Sequence, residues 1–138
     1  MSGVIMLIDA NIFLEVQLNQ EKAQEASEIL EAVSNNIIQG YITDFTIDSI
    51  VIIMEHYNKS PAEIKRFLVS LLAYEALDFY QLSIFDKIKA TEYMSSIPLD
   101  FDDACMYQAM QVLKIDILAS FDNDFDRIPN IRRLESVP

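Results

Sequence analysis

Aspartates recur at three places where an apolar run meets a polar one. Asp9 closes the run in MLIDANIF, Asp102 and Asp103 open the periodic stretch LDFDDACMYQAM, and Asp122, Asp124 and Asp126 crowd into LASFDNDFDRI. Singly, each has an ordinary use. An aspartate after a strand caps the next helix, acids in a first turn complement the helix dipole, and loop acids are solvated. Together they carry a chemistry. Carboxylates brought to one place raise one another's energy, and few lysines or arginines lie near them in sequence to neutralise them. Magnesium or manganese resolves that conflict, because a hard divalent cation takes a few carboxylate oxygens and keeps waters for a substrate. Phosphodiester hydrolysis needs such a site: the ion turns bound water into a nucleophile and steadies the leaving oxygen. The one histidine, His56, and the one cysteine, Cys105, exclude a structural zinc cluster.

The elements that must position these acids follow from periodicity. Residues 4–8 form an apolar run that ends at Asp9, which reads as a buried parallel strand. Helices are expected over 10–18 and 21–34, the second with Ala26, Ile29, Leu30 and Val33 at helical spacing, and Gly40 reads as a turn signal. A short strand at 41–43 leads into 45–57. Its isoleucines and valine favour a strand by propensity, but its length and the cap at Thr43-Asp44 favour a buried helix. Ser60-Pro61-Ala62-Glu63 is a capping box that starts a helix to about residue 75. Then come a strand at 79–82, a helix over 85–94, Pro98 as a break, a helix over 100–114, a strand at 116–120, an acidic loop at 121–127 and a last strand at 131–134. Alternating strands and helices predict a three-layer α/β/α fold with a mostly parallel sheet of four to five strands, as one domain over 1–138. In such sheets ligands bind beyond the carboxyl ends of the strands, where Asp9 and Asp122 fall.

Ten basic residues face 22 acidic ones, a net charge of −12, so the chain is no general coat for nucleic acid and its cations must act locally. The dense basic spots are Lys65-Arg66, Lys87 with Lys89, and Arg127 with Arg132-Arg133. A single cysteine forms no internal disulfide, and no membrane span or signal peptide is legible, so a soluble cytoplasmic protein is expected. Phe67 and Tyr74 read first as core packing; with Ser70 and Leu71 they recur at helical spacing, and a subunit contact is the alternative reading.

These motifs resemble the PIN-domain family across residues 5–134. LIDANIF resembles its first motif, FDDACMYQAM its third, and ILASFDNDFDRI its fourth, in order and in the expected strand and helix contexts. The resemblance implies a Mg2+- or Mn2+-dependent endoribonuclease, and more narrowly the toxin of a VapC-type toxin–antitoxin pair. It also implies an RNA substrate, an antitoxin partner and a homodimer. It makes Asp9, Asp103 and Asp122 metal ligands, direct or through water, with Asp124 auxiliary, Ser120 hydrogen-bonding the site and Asn11 orienting Asp9. Asp102 reads as an exposed helix-terminal charge. One motif departs: in YITDFTIDSIVIIMEHY, Ser49 stands where the family carries a helix glutamate. Asp48, one residue earlier and roughly a quarter turn away, either replaces it as a catalytic acid or leaves the site one acid short. That shortfall motivates a second reading, an inactive PIN-like binding or scaffold module. A receiver-like domain is disfavoured because its acid pair and late lysine have no counterpart, and a haloacid-type phosphatase because Asp9-Ala10-Asn11 lacks the second aspartate.

Overall fold

In the computed structural model, residues 3–138 are described. Five strands run β1 Ile5–Ile8, β2 Gln39–Thr43, β3 Leu77–Tyr80, β4 Ile117–Ala119 and β5 Arg132–Leu134. Six α-helices run α1 Ala10–Gln17, α2 Ala23–Ser34, α3 Asp44–His56, α4 Pro61–Leu71, α5 Ile84–Ser96 and α6 Phe101–Leu113. The sheet order is β3-β2-β1-β4-β5 and every neighbouring pair is parallel. Alternation along β1 sets the layers: Met6 and Ile8 enter a core shared with α1 to α4, and Leu7 enters a second core with α5 and α6. All three are fully buried, which is why β1 reads as an unbroken apolar run. After β1 the chain moves outward to β2 and β3, then returns across the sheet to β4 on the other side of β1. The carboxyl ends of β1 and β4 therefore flank the switch point of the sheet, where the connections diverge and leave a crevice.

The isoleucine-rich stretch is helix α3 rather than a strand. Thr43 Oγ1 accepts from Thr46 N–H at 3.0 Å and fixes its start, while Ile50 and Met54 are buried a turn apart. The capping box at Ser60 is present, with Glu63 reciprocating. Among the described residues, no helix is long and apolar enough to cross a membrane.

Several local expectations are corrected. Gly40 lies inside β2, not in a turn. A Cβ there would stand 2.9 Å from Ile8 Cδ1 and 3.3 Å from both methyls of Val33, so a glycine lets α2 press against the sheet. Helix α4 ends at Leu71 and β3 occupies residues 77–80, because Leu77 rather than Leu82 pairs with β2 at Gly40. The acidic segment after β4 is a 3₁₀ helix, Asn123–Arg127, capped by Asp122 and pinned by fully buried Phe125. In α4 the core reading holds for Phe67 and Leu71, which are buried, with Phe67 edge-on to Phe13 at 5.9 Å, whereas Ser70 and Tyr74 are partly exposed.

Candidate functional site

Asp9 is the first residue beyond β1. Its N–H donates to Ala119 O at 3.0 Å, which extends the β1–β4 pairing and sets the carboxylate beside the end of β4. One carboxylate oxygen accepts from Ala10 N–H at 2.7 Å and so caps α1. The other accepts from Ser120 Oγ at 2.7 Å and from Asn11 Nδ2 at 3.4 Å. Ser120, fully buried, donates its only proton to Asp9, while its oxygen accepts from Asn11 Nδ2 at 3.2 Å and from Asp122 N–H at 3.0 Å. The Asn11 amide oxygen accepts from Phe121 N–H at 3.1 Å, which leaves its NH2 facing Asp9 and Ser120. Three side chains thereby tie the β1–α1 junction to the loop after β4.

Asp103 comes from α6. Asp100 caps that helix by accepting from Asp103 N–H at 2.9 Å, and Asp103, on the first turn, is only 9% exposed. Asp122 accepts from Asp124 N–H at 3.0 Å, which winds the 3₁₀ turn and brings Asp124 round. Carboxylate oxygens of Asp103, Asp122 and Asp124 all lie within 4.8 Å of one another. Asp124 is half exposed and meets Arg127 Nη2 at 3.4 Å. Asp9 stands beside this trio rather than in it. The charge of Asp122 nonetheless reaches both Asp9 and Asp103.

The electrostatics follow from the crowding. Burial, with the charges of Asp102 and Asp122 behind it, pushes Asp9 up to about 6 despite its bonds from Ser120 and Ala10. Burial and four neighbouring carboxylates, those of Asp100, Asp102, Asp122 and Asp9, push Asp103 up to about 8. Asp102 is raised as well, by burial and then by Asp100. It is half-buried and contributes to this field, a correction to its reading as an exposed charge, because the α6 N-terminus is packed into the crevice rather than projected from it. Asp100 escaped notice as a contributor. Its signal was the spacing of three to Asp103, which is that of a side-chain cap.

Asp48 is not brought to the trio. It is exposed on α3 and lines a separate groove with Asp44, Phe45, Ser49, Ile52 and Lys87. Ser49 faces the same groove, so the position where a helix glutamate was expected holds a hydroxyl. Cys105 is 1% exposed, and burial pushes its thiol up to about 11, as expected of a structural cysteine. His56 is exposed. Arg133, expected as part of a basic spot, is only 13% exposed. It is gripped by Asp126 at 2.8 and 3.1 Å, by Glu135 and by Ser120 O at 3.0 Å.

The donor set fits a hard divalent cation. It is all oxygen, and burial and neighbouring charges raise the Asp103 carboxyl, an effect that a positive ion would reverse. Oxygens bound across one octahedral ion at ~2.1 Å are at most ~4.2 Å apart. A separation within 4.8 Å is thus closed by shifts of about half an ångström or by one bridging water.

Comparison with known proteins agrees with this architecture. The PIN domain family model matches residues 6–131. No curated protein matches significantly by sequence. The fold is similar to that of a toxin–antitoxin complex from Klebsiella pneumoniae, with a TM-score of 0.72 and 19% identity over 96% of this chain and 99% of that one. It is also similar to VapC20 of Mycobacterium tuberculosis, described as a sarcin–ricin loop cleaving toxin, with a TM-score of 0.73 and 12% identity over 88% and 92%. VapBC2 from Rickettsia felis, bound to a fragment of its promoter DNA, gives a TM-score of 0.70 and 14% identity over 95% and 98%. At these identities the likeness is one of fold, whereas the family model covers nearly the whole chain, and the protein belongs to the PIN domain family.

Proposed function

We propose that this chain is a Mg2+- or Mn2+-dependent endoribonuclease and the toxin of a VapBC-type toxin–antitoxin pair. The observation that carries the reading is the gathering of Asp103, Asp122 and Asp124 beside Asp9 at the switch point of the sheet. Asp103, Asp122 and Asp124 would hold the ion, with Asp9 completing its surroundings directly or through water. When bound, a divalent ion supplies an activated water near neutral pH and charge for the leaving oxygen. The chain itself does the positioning. Ser120 and Asn11 hold the Asp9 carboxylate in one orientation, and the Asp122 cap fixes where Asp124 points. Of the three structural relatives, one is described as a toxin–antitoxin complex and one as a VapBC pair, which supports an antitoxin as partner. A homodimer remains part of the proposal, its contact lying away from the buried Phe67–Leu71 row.

The test is cleavage of RNA by the purified chain. Activity is expected with Mn2+ and is expected to vanish in EDTA and in Asp9→Asn and Asp103→Asn. Activity that survives both chelation and substitution would refute the reading. The hydroxyl of Ser49 in the place of the family's glutamate favours the second reading, a binding module without turnover. Titration calorimetry separates the two, since the module predicts no Mn2+ binding at millimolar concentration.

A further inference from the structure

We propose that Arg127 is a phosphate-contacting residue for the RNA substrate, held by Asp124 until a divalent cation takes that carboxylate. The inference rests on the ribonuclease reading. A phosphodiester approaching three or four carboxylates on a chain of net charge −12 needs a local cation. Among the described residues, the only ion pair to Asp9, Asp103, Asp122 or Asp124 is that of Arg127 with Asp124. Two other basic groups near the site are engaged elsewhere. Arg133 is enclosed by Asp126, Glu135 and Ser120 O, and Lys22 lies over the Phe121 ring at 5.1 Å while pairing with Glu135 at 3.4 Å.

The Arg127 pair is built to be exchanged. Its side chain is 57% exposed, that of Asp124 is 49% exposed, and the contact is a single one at 3.4 Å. Exposed pairs of this kind contribute little to stability. A divalent cation on Asp124 competes for the same carboxylate with twice the charge, and the two cations repel. The displaced guanidinium stays one 3₁₀ turn from the acids, because Phe125 anchors that turn in the core. A free, planar fork of donors on the rim of the site is suited to a phosphate flanking the scissile one. Metal and RNA would then bind with positive coupling: the ion releases the residue that the substrate needs.

The experiment compares wild type with Arg127→Gln and Arg127→Lys, using Mn2+ alone by calorimetry and RNA cleavage across a salt series. In Arg127→Gln, Mn2+ is expected to bind about three- to fivefold more tightly, since a competing charge has gone. KM for RNA should rise about tenfold with kcat within about twofold, and log(kcat/KM) should fall less steeply with log salt, by about 0.7. Arg127→Lys should restore the salt slope and only part of the KM. Arg66→Gln, an exposed charge on α4, should change neither quantity. Weaker Mn2+ binding in Arg127→Gln would overturn the proposal by making Arg127 an organiser of Asp124. So would an unchanged KM and salt slope in a chain that cleaves RNA, and in both cases the ribonuclease reading would stand. A wild-type chain that neither binds Mn2+ nor cleaves RNA removes both.

Discussion

Replacing Asp103 by asparagine should stabilise the metal-free protein at alkaline pH while removing most of its stabilisation by metal. Asp103 is 9% exposed, and its carboxyl is pushed from 3.8 to about 8 by burial and by the charges of Asp100, Asp102, Asp122 and Asp9. A carboxyl whose folded-state value is raised binds its proton more tightly in the native state than in the unfolded one. Its contribution is therefore most favourable below about 3.8 and is lost progressively as pH rises towards about 8. Taken in full, a shift of that size corresponds to about 6 kcal/mol. Water at the mouth of the site screens much of the repulsion, which leaves about 2–3 kcal/mol at pH 9. Asparagine keeps the volume and lacks the charge, and the cap on α6 is unaffected because it uses the backbone N–H of residue 103. For a chain of this size the gain is on the order of 5–10 °C in Tm. The assay is thermal or urea unfolding in EDTA from pH 4 to 9, repeated with Mn2+. The variant should match wild type near pH 4, exceed it at pH 9, and lose most of the stabilisation that Mn2+ gives to wild type. Equal stability of the two proteins at pH 9 in EDTA would refute the premise that these acids strain one another, and with it the physical argument for the ion.

Three further outcomes follow. Ser120→Ala removes the donor to Asp9 and the acceptor for Asp122 N–H, both buried, so stability should fall by about 1–3 kcal/mol and RNA cleavage by about 10- to 100-fold, checked by unfolding and by kinetics, with Ser120→Thr recovering part of each. Asp48→Asn should leave Mn2+ affinity within about twofold, because Asp48 lies in the groove with Lys87 and outside the acid trio; a loss of tenfold or more, about 1.4 kcal/mol, would return it to the site. Gly40→Ala should destabilise the fold by about 1–3 kcal/mol without changing metal affinity, since its methyl would meet Ile8 at 2.9 Å and Val33 at 3.3 Å.

What the sequence made legible was whatever depends on pattern and adjacency. The apolar run into Asp9 announced a buried parallel strand, and Ser60-Pro61 announced a helix start, because strand burial and capping are local consequences of residue type. The three aspartate sites were readable because sheet topology sends strand ends and the following turns to one edge. What stayed hidden depends on contacts between distant residues. Gly40 looked like a turn because nothing near it in sequence shows that Ile8 and Val33 crowd it. Phe67 read first as core and is buried, but what covers its helix face was not legible, because periodicity marks an apolar face without naming its neighbour. Asp102 looked solvated because its immersion comes from where α6 ends against the sheet.

The departure at Ser49 bears on how the site is balanced. A glutamate from α3 would have added a fifth negative charge to Asp9, Asp103, Asp122 and Asp124, and a seventh once Asp100 and Asp102, which are not among the proposed ligands, are counted. These two acids, packed at the α6 N-terminus, already supply the field that a further carboxylate would bring, and the helix end they flank partly compensates their charge. A hydroxyl at position 49 therefore removes a ligand from one wall without leaving the ion short of negative surroundings. On this account the chain should bind its ion through the β1, β4 and α6 sides of the crevice. The α3 side is left open, and there Asp48 and Lys87 sit in a groove of their own.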